Sequence, residues 1–161
     1  MVPAELAPAQ LGSRVKINDV IRPACLPERE FEYTNGDTVK VIGWGITEVG
    51  GPKSTVLNEV EIPLVSAETC AASYSRVRNF PFRDSKLPAE IICAGGTDGK
   101  DSCNGDSGGP LFFDLSRGTG LNREYLLVGI VSTGVNCGTD IPAIYTRVED
   151  YFHWILDKLS L

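Results

Sequence analysis

The sequence predicts an all-β fold, an antiparallel barrel or sandwich with two short helices added to it. Six short candidate strands are separated by clusters of Gly, Pro, Asn and Asp, a spacing typical of such folds. In one of them Val60, Ile62 and Leu64 alternate with outward positions, as in a strand with one solvent-facing side. A length of 161 residues suits one well-buried core and is too short for two large domains with linkers.

The predicted strands follow an extended connector. Residues 1 to about 19 are weakly patterned, and Pro3 and Pro8 disfavour regular structure there. The connector continues from Ile21 through Pro27. The predicted strands are Val39 to Gly45, Glu59 to Leu64, Glu90 to Ala94, Pro110 to Phe113, Tyr125 to Ser132 and Ala143 to Val148.

Two helices are predicted from capping and periodicity. Ser66 is a favourable N-cap for a short helix through Glu68 and Cys70. A second helix is predicted from Val148 to Leu159, with Val148, Phe152, Ile155 and Leu159 on one apolar stripe. The remaining long segments, rich in turn-forming residues, are predicted loops: Ile46 to Thr55, Ala71 to Pro88 and Asp114 to Glu124.

Charge and composition exclude several classes of partner. The chain has 21 acidic and 15 basic residues, a net charge of -6 that repels nucleic acid and anionic lipid surfaces. No apolar run approaches the ~18 residues of a membrane span. The first residues lack the basic and apolar regions of a signal peptide, so any export signal is expected outside this sequence. We therefore expect neither a nucleic-acid nor a membrane partner.

The cysteines predict a disulfide framework and not a metal site. Five cysteines and one histidine fit no pattern of paired zinc ligands, and we expect no metal or cofactor. Disulfides imply an oxidising compartment. Because five is odd, at least one cysteine lacks a partner within this chain.

The stretch from Asp101 to Pro110 is the strongest chemical signal. Its glycines and proline disfavour both helix and strand, which predicts a shaped loop around Ser107. Glycine also permits close approach of a substrate, so the amides of Gly105 and Ser107 are placed to converge on one oxygen as an oxyanion hole. A bare Ser-Gly-Gly is ordinarily a turn, but six specified residues from Gly105 to Pro110 favour a catalytic loop.

Several motifs together resemble the chymotrypsin-like (trypsin-type) serine proteases from about Ile21 onward. They are Gly43-Trp44-Gly45, Cys93-Ala94-Gly95, Asp101 to Pro110, Val131-Ser132-Thr133-Gly134 with Cys137, and Ile144-Tyr145-Thr146-Arg147-Val148. The segment Arg22 to Pro27 and the long loops resemble the arthropod clip-domain members. The family has two six-stranded barrels with the active site between them. This chain resembles the second barrel and its terminal helix (23–161), preceded by a remnant of the first barrel and the connector (1–22).

The resemblance implies a role for each motif residue. Ser107 matches the nucleophile, and the amides of Gly105 and Ser107 match the oxyanion hole. Asp106 matches the aspartate that pairs with the N-terminal amine freed by zymogen cleavage. Asp101, with Ser102 beside it, matches the floor of the pocket that selects Arg or Lys.

The pocket wall carries one match and two departures. Ser132 and Gly134 match the wall that pairs with the substrate backbone as an added strand. Ala143 stands where the trypsin pattern has a second wall glycine, so its methyl group is expected to narrow the pocket. Thr133 replaces an aromatic residue, which weakens the apolar platform for the residue before the cleavage-site residue.

The resemblance also implies the pairing of the cysteines. Cys70 is expected to pair with Cys93, and Cys103 with Cys137. Cys25 matches a cysteine that bridges to a segment upstream of the protease domain, while a free buried thiol is the alternative.

The catalytic base is missing from the sequence. The mechanism needs a histidine and an orienting aspartate, which the family supplies from the first barrel. His153, the single histidine, falls in the terminal helix between two aromatic residues and is expected to serve packing or the surface. The chain alone is therefore expected to be nearly inactive. Its apolar surface, uncovered without a first barrel, is expected to make it unstable or prone to aggregate.

Two functions from different classes follow. The first is part of a secreted serine endopeptidase that cleaves protein substrates after Arg or Lys, with serpin-type inhibitors and other cascade proteases as further partners. The second is a non-catalytic protease homologue, a binding module with Arg76, Arg78 and Arg83 as a basic exosite. A solvated loop face is the simpler interpretation of these arginines. The presence of Ser107, Asp101 and Asp106 favours the enzyme.

Overall fold

Six antiparallel strands close into a barrel in the computed structural model, which describes residues 6–28, 32–80, 87–115 and 124–159. The neighbour order around the barrel is β1-β2-β3-β6-β5-β4, and β4 pairs with β1 to close it. The strands are β1 (Thr38–Gly43), β2 (Asn58–Val65), β3 (Ile91–Ala94), β4 (Pro110–Asp114), β5 (Tyr125–Thr133) and β6 (Ala143–Arg147). The prediction of an all-β fold with six strands is confirmed, and the barrel form is realised rather than the sandwich.

The predicted end of the first strand was wrong. β1 stops at Gly43, so Trp44 and Gly45 lie beyond it, and 57% of the Trp44 surface is exposed. The physical reason is a competing hydrogen bond. The backbone N–H of Gly45 donates to the side chain of Asp106 rather than to a strand neighbour.

The barrel interior is filled by side chains from all six strands. Aliphatic residues dominate, with Tyr145 of β6 as the largest fully buried side chain of this cluster. The buried members are Val39, Val41, Ile62, Leu64, Ile92, Ala94, Leu111, Leu126, Val128, Val131, Ala143 and Tyr145. The alternation predicted for the second strand is confirmed at Ile62 and Leu64, and Val60 is half-buried.

Helix α1 (Ala67–Ser75) begins at the predicted cap. The Ser66 hydroxyl accepts a hydrogen bond from the N–H of Thr69 at 3.2 Å, which satisfies one of the donors left free at a helix start. The Cys70–Cys93 disulfide joins this helix to β3. Tyr74, in the last turn of the helix, is fully buried, and its hydroxyl donates to the carbonyl of Pro142 at 2.8 Å.

The predicted terminal helix is divided in two. Residues Glu149–Tyr151 form a 3-10 turn, and helix α2 follows at Phe152–Leu159. Val148 is fully buried, but α2 has no buried residue and Leu159 is 70% exposed, so the predicted apolar stripe is not covered along its length. In the described part of the chain, no helix has the length and apolar character needed to cross a bilayer.

The connector pairs with the barrel at one point. The N–H of Cys25 donates to the carbonyl of Tyr125, and the N–H of Leu127 donates to the carbonyl of Cys25, both at 2.9 Å. These two bonds dock the connector beside β5. Residues 6–25 expose most of their surface.

Burial in the barrel core predicts how much the truncation of a leucine lowers the free energy of unfolding. Leu111 is fully buried at the centre of the core, so Leu111→Ala should lower the free energy of unfolding by about 2–5 kcal/mol. The matched substitution Leu115→Ala, at an exposed position, should change it by less than about 0.5 kcal/mol. Urea unfolding of the oxidised chain measures both. Equal effects would contradict the placement of Leu111 in the core.

Candidate active site

The loop from Asp101 to Gly109 is tied to β5 and to the loop after it. The N–H of Gly108 donates to the carbonyl of Val131 at 2.9 Å, and the N–H of Val131 donates to the carbonyl of Gly109 at 2.8 Å. The Cys103–Cys137 disulfide joins the other end of the loop to the β5–β6 connection. Ser107 is thereby held at an exposed position between two fixed segments.

The Asp106 carboxylate lies in a niche made of backbone. Its Oδ1 accepts from the N–H of Gly45 at 2.7 Å, and its Oδ2 accepts from the N–H of Cys103 at 2.9 Å. A Cβ atom added at Gly45 would fall 2.6 Å from the carboxylate, and one at Gly43 would be closer still. Glycine is therefore required at positions 43 and 45, because a side chain at either position would occupy the space of this carboxylate.

The backbone N–H groups of Gly105 and of Ser107 itself are available to bind an oxygen. Gly105 has a φ of +101°, in the left-handed region that favours glycine. In the described residues, no protein acceptor engages the N–H of Gly105 or of Ser107. Free donors two residues apart on a rigid loop are suited to a developing negative charge.

A cavity of about 280 Å³ connects Ser107 with Asp101. It is bounded on one side by the loop 101–109 and on the other by the end of β5, the following loop and the start of β6. The lining residues are Val49, Asp101, Ser102, Cys103, Asn104, Ser107, Val131, Ser132, Thr133, Gly134, Asn136, Cys137 and Ala143. The structure therefore brings together Ser107 and all five residues that the resemblance assigned to substrate binding.

Asp101 is the acidic group of this cavity. Its Oδ2 accepts from the N–H of Gly138 at 3.2 Å, while its Oδ1 is buried without a hydrogen-bond partner among the described residues. Burial raises the pKa of this carboxyl from 3.8 to about 6, and the nearby backbone N–H groups of Gly138 and Ser102 oppose the increase. Ser102 beside it is buried and hydrogen-bonded through its hydroxyl to that of Tyr145 at 3.1 Å. A half-buried carboxylate with one buried oxygen that lacks a hydrogen-bond partner favours a cationic ligand.

Thr133 and Ala143, the two pocket residues that depart from the pattern described above, both line the cavity. Ala143 is only 3% exposed, and a Cβ added at Gly134 would lie 3.7 Å from the Ala143 methyl group. The two positions thus face the same space, and the methyl group occupies part of it. Thr133 is exposed at the mouth of the cavity. The hydroxyl of Ser132 is buried and has no hydrogen-bond partner among the described residues.

Sequence reasoning missed a second cavity and the hairpin beside it. This cavity, about 310 Å³, has Gly43, Gly45, Lys100, Asp101 and Asp106 among its lining residues. The Gly-rich segment after Gly45 was predicted only as a loop, whereas Ile46 and Lys53 form a bridge that makes it a short hairpin. The bridge itself joins residues seven apart, but the attachment of the hairpin to the loop 101–109 has no local sequence signal, because its hydrogen bonds join residues more than 50 positions apart.

The remaining candidate residues lie apart from Ser107. His153 is exposed on α2, its ring packs edge-on against Phe152, and it lines neither cavity. Cys25 is an exposed free thiol, which contradicts the alternative of a free buried thiol. Within residues 6–28, 32–80, 87–115 and 124–159, no group of three or more His, Cys, Asp or Glu could hold a metal ion.

Comparison with known proteins gives one family over almost the whole chain. The sequence pattern of the family described as Trypsin matches residues 3–155. Phenoloxidase-activating factor 1 of Holotrichia diomphalia is 40% identical over 152 residues, which cover 94% of this chain and 38% of that protein. CLIP domain-containing serine protease HP8 of Bombyx mori is 39% identical, with 97% and 41% covered. Transmembrane protease serine 11G of Rattus norvegicus is 39% identical, with 98% and 35% covered. The chain thus spans between 35% and 41% of the length of these relatives.

The raised pKa of Asp101 predicts a pH-dependent effect on stability. The ordinary pKa of 3.8 is below the folded value of about 6, so the neutral form stabilises the fold below pH 3.8 and this contribution is lost as pH rises through 6. Asp101→Asn keeps a neutral side chain, and it should raise the unfolding midpoint at pH 8 but not at pH 3.5. Thermal unfolding at the two pH values measures the difference. The matched variant Asp157→Asn, at an exposed position on α2, should show no such pH-dependent gain. The same midpoint for Asp101→Asn and the wild type at pH 8 would contradict the environment described for Asp101.

Proposed function

This chain belongs to the trypsin family of serine proteases, and we propose that it supplies the nucleophile and the specificity pocket of an endopeptidase that cleaves after Arg or Lys. One observation carries the proposal. The exposed Ser107 and the half-buried Asp101 line the same cavity, which can receive a long side chain. A cationic head group gains an ion pair at Asp101, while a neutral one leaves that carboxylate without a counter-charge.

The proposed chemistry is acyl transfer to Ser107. The Oγ atom attacks the carbonyl carbon of the scissile bond, and the amides of Gly105 and Ser107 donate to the resulting oxyanion. Ser132 and Gly134 pair with the substrate backbone along the cavity wall. Ala143 reduces the width of the pocket, and Ser102 lies beside its acidic floor. In this proposal Asp106 receives the N-terminal amine that is freed when a zymogen is cleaved.

The proton on Ser107 needs a base that this chain does not contain. His153 is the single histidine in the sequence, and it lines neither cavity. We therefore assign the base and its orienting aspartate to another part of the protein, packed against the barrel beside Ser107. In this assignment residues 1–22 are the end of a first barrel and the connector, and residues 23–161 are the second barrel. The orphaned hydroxyl of Ser132 is a position at which a polar group from that part would gain a hydrogen bond.

The remaining cysteine supports a covalent link to such a part. Cys25 is exposed, and its backbone is hydrogen-bonded to β5, so its thiol is displayed from a fixed point on the barrel. The two disulfides within the chain suit a secreted protein. Substrate proteins, serpin-type inhibitors and other cascade proteases are the partners that this proposal implies.

A chimera tests whether the chain is a catalytic half. The chain would be joined to the upstream part of its relative from Holotrichia diomphalia and, after activation, assayed on peptides with Arg, Lys or Gln before the scissile bond. We expect cleavage after Arg and Lys, a loss of about six orders of magnitude in kcat for Ser107→Ala, and no measurable cleavage by the chain alone.

The same assay separates the two functional classes. A folded chimera that fails to cleave any of the peptides would contradict the enzyme and favour a non-catalytic binding module. The basic exosite of that module would use Arg76 and Arg78, both exposed, whereas Arg83 lies outside the described residues. Equal cleavage after Gln and Arg would contradict the role given to Asp101.

A further inference from the structure

The hairpin from Gly45 to Ser54, which the catalytic assignment does not use, flanks the nucleophile loop. Its two sides are joined by the bridge between Ile46 and Lys53 and by a hydrogen bond from the N–H of Ser54 to the carbonyl of Gly45 at 3.1 Å. Near its tip, Val49 is 67% exposed and lines the cavity that contains Ser107. The hairpin is therefore part of the surface that a substrate meets.

Two backbone bonds fix this hairpin to the loop that carries Ser107. The N–H of Gly45 donates to the Asp106 carboxylate at 2.7 Å, and the N–H of Ile46 donates to the carbonyl of Asn104 at 3.0 Å. Both acceptors lie within three residues of Ser107. The base of the hairpin therefore has a defined position relative to the nucleophile.

Lys53 extends from this base across Gly105. A Cβ atom added at Gly105 would lie 3.3 Å from Cε of Lys53, 3.8 Å from its Cδ and 3.1 Å from Cα of Gly45. The methylene groups of Lys53 thus cover the face of Gly105, while the residue as a whole is exposed. Among the described residues, no carboxylate forms an ion pair with its ammonium group.

The position of Lys53 relative to the cavity indicates which part of a substrate it meets. The cavity is lined by Asn104 and Ser107 but by neither Gly105 nor Lys53. A substrate places the side chain before the scissile bond in this cavity, so the residues after that bond lead away from it, past Gly105. We propose that Lys53 is a specificity-determining residue that favours an acidic side chain just after the scissile bond. This inference rests on the proposed protease function.

The expected size of the preference follows from the exposure of the ammonium group. An exposed ion pair is weak and screened by salt, which corresponds to a preference of about two- to fivefold in kcat/KM. The position of its methylene groups over the open face of Gly105 restricts the side chain before the substrate arrives, which lowers the entropy lost on pairing. The preference should decrease as ionic strength rises.

The test uses the activated chimera and two sets of three peptides, one set varied at the first position after the scissile bond and the other at the second. Each has Arg before the scissile bond, and Glu, Ala or Lys at the first or the second position after it. The kcat/KM for each peptide is divided by that for the Ala peptide, so that changes in overall activity cancel. Wild type should favour Glu over Ala and Ala over Lys. Lys53→Met, which keeps most of the aliphatic length, should remove the preference, and Lys53→Glu should reverse it.

A charge removed on α2, outside the cavity, serves as the control. Lys158→Met removes the same charge from an exposed position on α2 and should retain the wild-type preference. Equal kcat/KM for the Glu and Ala peptides with wild type, or an unaltered ratio in Lys53→Met and Lys53→Glu, would overturn the role of Lys53 and leave the protease function intact. Absence of cleavage of every Arg peptide would overturn the protease function and this inference with it.

Discussion

The arrangement of the site depends on one carboxylate held by backbone N–H groups. Asp106 binds Gly45 on one side and Cys103 on the other, and in doing so connects the end of β1 to the loop that presents Ser107. Hydrogen bonds from neutral donors to a charged acceptor are among the stronger ones in proteins. This single contact ends the first strand, requires glycine at positions 43 and 45, and sets the base of the hairpin that carries Lys53.

The walls of the cavity are held in place, and the cavity contains one carboxylate, Asp101, whose charge is unfavourable there. The Cys103–Cys137 disulfide, the β5 hydrogen bonds and the buried Tyr74 hydroxyl on the carbonyl of Pro142 hold its walls. Within these walls one oxygen of Asp101 has no hydrogen-bond partner among the described residues, and burial raises its pKa because the charged form is disfavoured away from water. Such a site is less stable without a ligand than with one, and in the proposed function that ligand is the cation of Arg or Lys.

Elements with local signals could be predicted from the sequence, and elements formed by distant contacts could not. Period-two alternation and turn residues located β2, and Ser66 located the start of α1, because each depends on neighbours in the chain. The resemblance of the motifs identified residues between Asp101 and Ala143 that line the cavity. The end of β1, the attachment of the hairpin to the loop 101–109 and the placement of Lys53 over Gly105 depend on residues more than 50 positions apart, for which local patterns carry no signal.

Asp106 fixes the loop 101–109 and the hairpin 45–54 together. Amide hydrogen exchange in wild type and Asp106→Ala tests this attachment most directly, with Asp157→Ala on α2 as the control. Loss of the carboxylate should accelerate exchange at Gly45, Ile46 and Cys103 by about 10- to 100-fold, while Val128 in the barrel core keeps its protection. Unchanged exchange at those three amides in Asp106→Ala would contradict this role of Asp106.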